Sequence, residues 1–278
     1  MHKFTSLAIV TLTVNWTLTF LAFISVVITY IFRRKGGMLE EVLTYSAFLI
    51  GTILVAISSW AIVDEGQGAH QWNLSQSQVA KAAKSLLVAE ALWSLVNSLL
   101  RNAAGLLILR ISGPMSGIKR AACLIMAASI ALAIVSSMEI FLICRPFAAQ
   151  WDPLVLGTCG DQILSFTVLE TVGLALDLVI LALPAIFMVR LQTTKWRRIK
   201  FILVVDAGSV VLVITALRMA ALRNAVSPDF SYSQSYLSLL SAAGSMTGVV
   251  CCASFSIRTC VLKVAEFGKS SACRRRYH

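Results

Sequence analysis

"LAIVTLTVNWTLTFLAFISVVITYIF" (residues 7–32) is an apolar run closed at once by Arg33, Arg34 and Lys35, and its length decides the fold. A secretory leader carries an apolar segment of about 7–15 residues, whereas a helix needs about 20 residues to cross a hydrocarbon layer. At roughly 26 residues the run has crossing length, so it is read as a first, uncleaved transmembrane helix.

Six further stretches match it, near 42–63, 85–109, 121–144, 163–189, 201–222 and 236–257. Hydrophobic residues make up 58% of the 278 and charged residues only 13%, and the mean hydropathy of +0.82 lies far from that of a soluble domain. The expected fold is all-α: a bundle of seven transmembrane helices over residues 1–263, followed by a short basic tail at 264–278. No long soluble insertion, solenoid repeat or pairing of halves stands against one membrane domain.

Seven crossings put the two ends on opposite sides, and the basic residues suggest which. Arg33, Arg34, Lys35, Arg110, Lys119, Arg120, Arg190, Lys195, Arg197, Arg198, Lys200 and the basic residues after 257 fall in one set of connecting segments. The opposite set holds only Lys3, Lys81, Lys84, Arg145 and Arg223. By the positive-inside rule the N-terminus is expected outside or in a lumen, and the C-terminus in the cytoplasm. The net charge of +11 punctuates the spans rather than covering one soluble face, which fits topology and anionic lipid better than nucleic acid.

Between the fourth and fifth runs lies "CRPFAAQWDPLVLGTC" (144–159). Of the seven cysteines, Cys144 and Cys159 alone fall on the expected outer face, where thiols oxidise. A disulfide there would close the loop, contributing on the order of 3 kcal/mol on a chain-entropy estimate. Pro146 and Pro153 stiffen the segment, Trp151 suits a membrane interface, and the whole reads as a stapled lid over the outer mouth. The alternative is that Cys144 is a buried thiol ending the fourth helix. Asn73-Leu74-Ser75 is a glycosylation sequon on the same expected side, whereas Asn15-Trp16-Thr17 lies inside the first helix.

Ionisable residues within spans are costly and tend to face a bundle interior. Here they are Glu90, Arg101, Glu139, Glu170, Asp177, Asp206 and Arg218. At about 100° per residue, Glu90, Asn97 and Arg101 fall within roughly 20° of one stripe, and Glu170 and Asp177 share another. Depths from a rise of about 1.5 Å per residue suggest an outer cluster of Glu90, Glu170 and Arg218, an inner structural pair of Arg101 with Asp206, and Asp177 between. Such groups either lock helices together or supply an acid in a low-dielectric pocket. Glu90 and Glu170 are the candidate catalytic carboxyls. Asp177, Arg218, Asn97, Trp151 and His70 are candidate ligand contacts.

Other chemistries are disfavoured. Residues 236–262 contain no lysine for a retinal Schiff base, and the only histidines are His2, His70 and His278. With no CxxC spacing, no metal and no cofactor are expected.

"CRPFAAQWDP" with "GTC", then "LDLVILALPAIFMVRLQ" (176–192), resemble the fourth outer segment and fifth helix of fungal rhodopsin-domain integral membrane proteins. "GQGAHQW" (66–72) resembles that family's Gly-x-Gly-x-His-x-Trp loop, "ALWSLVNSLLRNAAGLLILRI" (91–111) its third helix, and "GVVCCASFSIR" (248–258) its seventh. The chain departs from the family where Gly244 replaces an acidic residue, where Phe255 and Thr259 replace prolines, and near Gly173, where an asparagine is common. The family includes receptor candidates and membrane proteins of satratoxin-type secondary-metabolite clusters. The resemblance therefore implies a multi-pass membrane protein that handles a small apolar metabolite alongside pathway enzymes, as a membrane-embedded cyclase or isomerase, or else a seven-helix receptor-like sensor.

Overall fold

The computed structural model describes residues 5–31, 39–68, 75–111, 116–151, 155–190, 195–224 and 233–254. Within them the side chains of 184–190, 195–207, 223–224 and residue 111 are not described. His70, Asn73 and the tail 264–278 lie outside the described residues, so the ligand and glycosylation expectations at the first two have no structural counterpart.

Seven helices run through the described residues: α1 (Ser6–Ile31), α2 (Leu39–Val63), α3 (Gln76–Ile111), α4 (Ser116–Leu142), α5 (Gln162–Arg190), α6 (Lys195–Asn224) and α7 (Ser233–Ser254). Six of them are long and apolar enough to cross a membrane. The described apolar stretch of the remaining one, Gly208–Leu222 in α6, is shorter. The chain is a multi-pass membrane protein, and a lipid bilayer is its solvent.

That solvent explains the secondary structure. Backbone groups have no water to bond to in hydrocarbon, so the chain satisfies them within helices. Hydroxyls buried in these helices turn inward in the same way, as Thr11 Oγ1 donates to the Leu7 carbonyl at 2.9 Å, Thr19 to Asn15 at 2.7 Å and Thr44 to Glu40 at 2.8 Å. The start of α3 is fixed by a reciprocal cap: the Gln78 amide donates to Ser75 Oγ at 3.4 Å, and the Ser75 amide donates to Gln78 Oε1 at 3.0 Å. Asp161 caps α5 through the Leu164 amide at 3.0 Å.

The core lies where α1, α2, α3 and α7 meet, on Ala22, Ala47, Val55, Val96, Leu100, Ala242, Met246 and Val249. Small side chains let these helices close on one another. Gly248 faces α3 so tightly that a Cβ there would come within 2.7 Å of a Leu100 methyl, whereas Gly244, four residues before, faces Ile214 of α6. In its most apolar stretch α7 is 67% buried and α3 50%, against 17% for α4 and α5, so α3 and α7 are the inner helices. Phe20, Leu49, Leu124, Phe141 and Leu164 point outward to lipid.

One departure from an all-helical chain occurs between α4 and α5. There β1 (Cys144–Arg145) pairs antiparallel with β2 (Thr158–Cys159), with Cys144 opposite Cys159 and a disulfide joining them. A 3₁₀ turn at Phe147–Gln150 sits between. Phe147 packs on Phe141 at 5.5 Å and meets Trp151 edge-on at 4.9 Å, while Gln150 Nε2 donates to the Ile140 carbonyl at 2.6 Å. Lys84 Nζ lies 5.0 Å over the Trp151 ring, a cation–π contact that straps the loop to α3. This is the loop end of the bundle.

Candidate functional site

The polar stripe of α3 carries Glu90, Trp93, Asn97 and Arg101, and each meets a group on another helix or on its own backbone. Toward the loop end the organising residue is Arg218 of α6, which is 1% exposed. Its Nε donates to Ser241 Oγ of α7 at 2.7 Å. Its Nη2 reaches both oxygens of Glu90 at 2.5 Å, and its Nη1 is ion-paired with Glu170 of α5. The guanidinium plane stacks 3.7 Å from the Trp93 ring. One side chain thus ties α3, α5, α6 and α7. Arginine suits the task because its planar fork serves several acceptors and its face serves an aromatic ring.

Toward the opposite end, Arg101 makes a bidentate pair with Asp177, Nε to Oδ1 at 2.7 Å and Nη2 to Oδ2 at 2.9 Å. Among the described side chains Asp177, assigned to the space between two tiers, is the partner of Arg101, and the side chain of Asp206, the expected partner, lies outside the described set. The fit depends on Gly173, one turn before Asp177: a Cβ there would stand 3.0 Å from Arg101 Nη2. Without that side chain α5 has a slot into which the guanidinium fits.

Asn97 donates to the Trp93 carbonyl at 2.9 Å and faces the interior between the two assemblies. Trp151 belongs to the strapped loop. Glu139 of α4 had no role assigned from sequence; both its carboxyl oxygens are buried, and its polar neighbours are Ser165 of α5 and Glu90 of α3.

Among the described residues, three spaces border these helices. Glu90, Ser94, Asn97, Arg101, Ser136 and Glu170 line a cavity of about 30 Å³ between α3, α4 and α5. A second, of about 10 Å³, borders the other side of Glu90 beside Ser58, Gln67, Gln234 and Ser238. Both suit water molecules rather than a metabolite. The third is of another order, an open groove of about 700 Å³ between α2, α3 and α4. Leucines, Met126, Ile130, Ile134 and Phe141 form its walls, and Ser98, Asn102 and Ser137 are its polar points. On α3 the groove residues lie roughly 140° round the helix from the Glu90 stripe. Sequence reasoning passed over the groove because it is made by atoms that are missing, at Ser98, Ala133 and Ser137.

Among the described residues no three His, Cys, Asp or Glu side chains converge in a way that holds a metal ion.

These features define a multi-pass membrane protein with two buried arginine–carboxylate assemblies and a lipid-facing groove. Residues 24–263 match the Fungal rhodopsin domain, and the chain belongs to that family. Comparison with curated proteins and with solved structures gives no match.

Proposed function

We propose that the protein binds a small apolar metabolite drawn from the bilayer and handles it within a fungal secondary-metabolite pathway. The supporting observation is the groove between α2, α3 and α4. Its volume of about 700 Å³ falls in the range of small-molecule sites, roughly 300–1,000 Å³, and its lining is apolar apart from Ser98, Asn102 and Ser137. A molecule suited to it is elongated and carries one or two hydroxyl or carbonyl groups. Ser137 Oγ, which donates to the Ala133 carbonyl at 2.9 Å, keeps acceptor capacity for such a hydroxyl.

In this reading Glu90 and Glu170 serve Arg218 rather than an acid–base step. Both oxygens of Glu90 accept from one guanidinium nitrogen, and the groove lies on the other side of α3. The protein then carries, presents or sequesters the metabolite, and cyclisation or isomerisation falls to a separate catalyst.

One observation favours the receptor-like alternative. Leu39 and Leu43 at the far end of the groove flank Glu40, whose carboxylate accepts from Arg110 Nη1 at 2.7 Å and joins α2 to α3. A ligand wedged beside those leucines acts directly on that tie.

Metabolite profiling separates the cases. A deletion strain is complemented with wild type or with Ala133→Trp, which fills the groove, at matched protein levels. The pathway reading expects a precursor to accumulate on deletion and to persist with Ala133→Trp. Full restoration by Ala133→Trp removes the groove from the function, and an unchanged profile on deletion removes the pathway role.

A further inference from the structure

The small cavity between α3, α4 and α5 has a charge problem. Two carboxylates, Glu90 of α3 and Glu170 of α5, share the single guanidinium of Arg218 from α6, and Glu139 of α4 faces Glu90 without lining the cavity. The neighbouring Arg101 and Asp177 neutralise each other, and the α7 group in contact with Arg218 is the neutral Ser241. With Glu90 and Glu170 ionised the cavity wall carries one surplus negative charge away from water, where unpaired charge is strongly disfavoured.

The hydrogen bonds point to the same deficit. The Glu170 side chain is 5% exposed, yet its Oε2 has no partner. Around the cavity Ser94, Asn97 and Ser136 add further oxygens to those of Glu90 and Glu170. The missing component is a cation, and the volume sets its size: about 30 Å³ admits one or two water-sized species. An organic amine is too large. A divalent ion demands several convergent carboxylates, and no three His, Cys, Asp or Glu side chains converge among the described residues.

We propose that this cavity binds a water-sized monovalent cation, hydronium or sodium, which neutralises the surplus charge of Glu90 and Glu170 and completes the packing of α4 against α3 and α5. The site is separate from the groove and does not depend on what the groove holds.

The test uses the full chain purified into lipid nanodiscs. Its apparent unfolding temperature is read in sodium, potassium and choline chloride at constant ionic strength, at pH 5.5 and pH 8. For sodium, the temperature rises against choline by roughly 3–5 °C for each tenfold increase above the dissociation constant. For hydronium, the sodium response is absent and stability falls as pH rises, because the folded state then loses a bound proton that the unfolded state did not hold. Either response must shrink by at least half in Ser94→Ala and in Ser136→Ala, each of which removes one acceptor from the cavity lining without breaking an ion pair. Indifference of the wild type to both cation and pH overturns the proposal, as does an undiminished response in both variants.

Discussion

Arg218→Met is the most informative single substitution. It removes the one cation shared by Glu90 and Glu170, whose side chains are 12% and 5% exposed, and leaves two carboxylates facing each other without compensation. Breaking a buried ion pair from one side costs about 3–5 kcal/mol, and the lost stacking on Trp93 at 3.7 Å adds about 0.5–2 kcal/mol. For a chain of this size each kcal/mol moves an unfolding midpoint by roughly 2–4 °C, so the pair alone predicts a fall of about 6–20 °C. The assay is the apparent melting temperature in nanodiscs, read by a thiol-reactive dye or by intrinsic fluorescence. The decisive arm is compensation: adding Glu90→Gln and Glu170→Gln to Arg218→Met leaves a neutral cluster of similar volume and restores most of the lost stability. A fall under about 2 °C, or no recovery in the triple variant, refutes the assignment of Arg218 as the neutralising node.

The assembly of Arg101 with Asp177 gives a parallel test, since a double-mutant cycle on Arg101→Leu and Asp177→Asn should return a coupling of about 1–3 kcal/mol; a coupling near zero removes the pair from the stability of the bundle. Gly173→Ala should destabilise by about 1–3 kcal/mol through overpacking, because its Cβ arrives 3.0 Å from Arg101 Nη2, and that cost should vanish in an Arg101→Leu background. Replacing Cys144 and Cys159 by serine opens a bridge between residues 15 apart in sequence and should lower stability by about 3 kcal/mol; a matching loss on adding reductant to the wild type is the check.

What could be read from the sequence follows from which physical signals are one-dimensional. Length and hydropathy define a crossing helix without knowledge of its neighbours, which is why residues 7–32 already specify a membrane chain. Periodicity of 3.6 puts Glu90, Asn97 and Arg101 on one face of α3, and rise per residue puts Glu90, Glu170 and Arg218 at similar depth, where the structure joins them. Depth says nothing about azimuth. Depth alone brings both Asp177 and Asp206 within reach of Arg101, and the slot in which Arg101 meets Asp177 is cut by Gly173, a residue whose contribution is an absent side chain. The groove has the same origin, in small residues spread over two helices. Cys144 and Cys159 were visible as a possible bridge, but the β1–β2 pairing that aligns them is a tertiary fact. Glu139 was visible as a charge in a span; its burial beside Glu90 was not.

The central claim is that the groove holds an apolar molecule of the host membrane. Protein purified from fungal membranes in mild detergent is extracted and analysed by mass spectrometry, wild type beside Ala133→Trp. A compound other than bulk membrane lipid, near one per chain in the wild type and depleted at least tenfold in the variant, is the result this account predicts. The same bulk lipids in the same amounts from both proteins would contradict it.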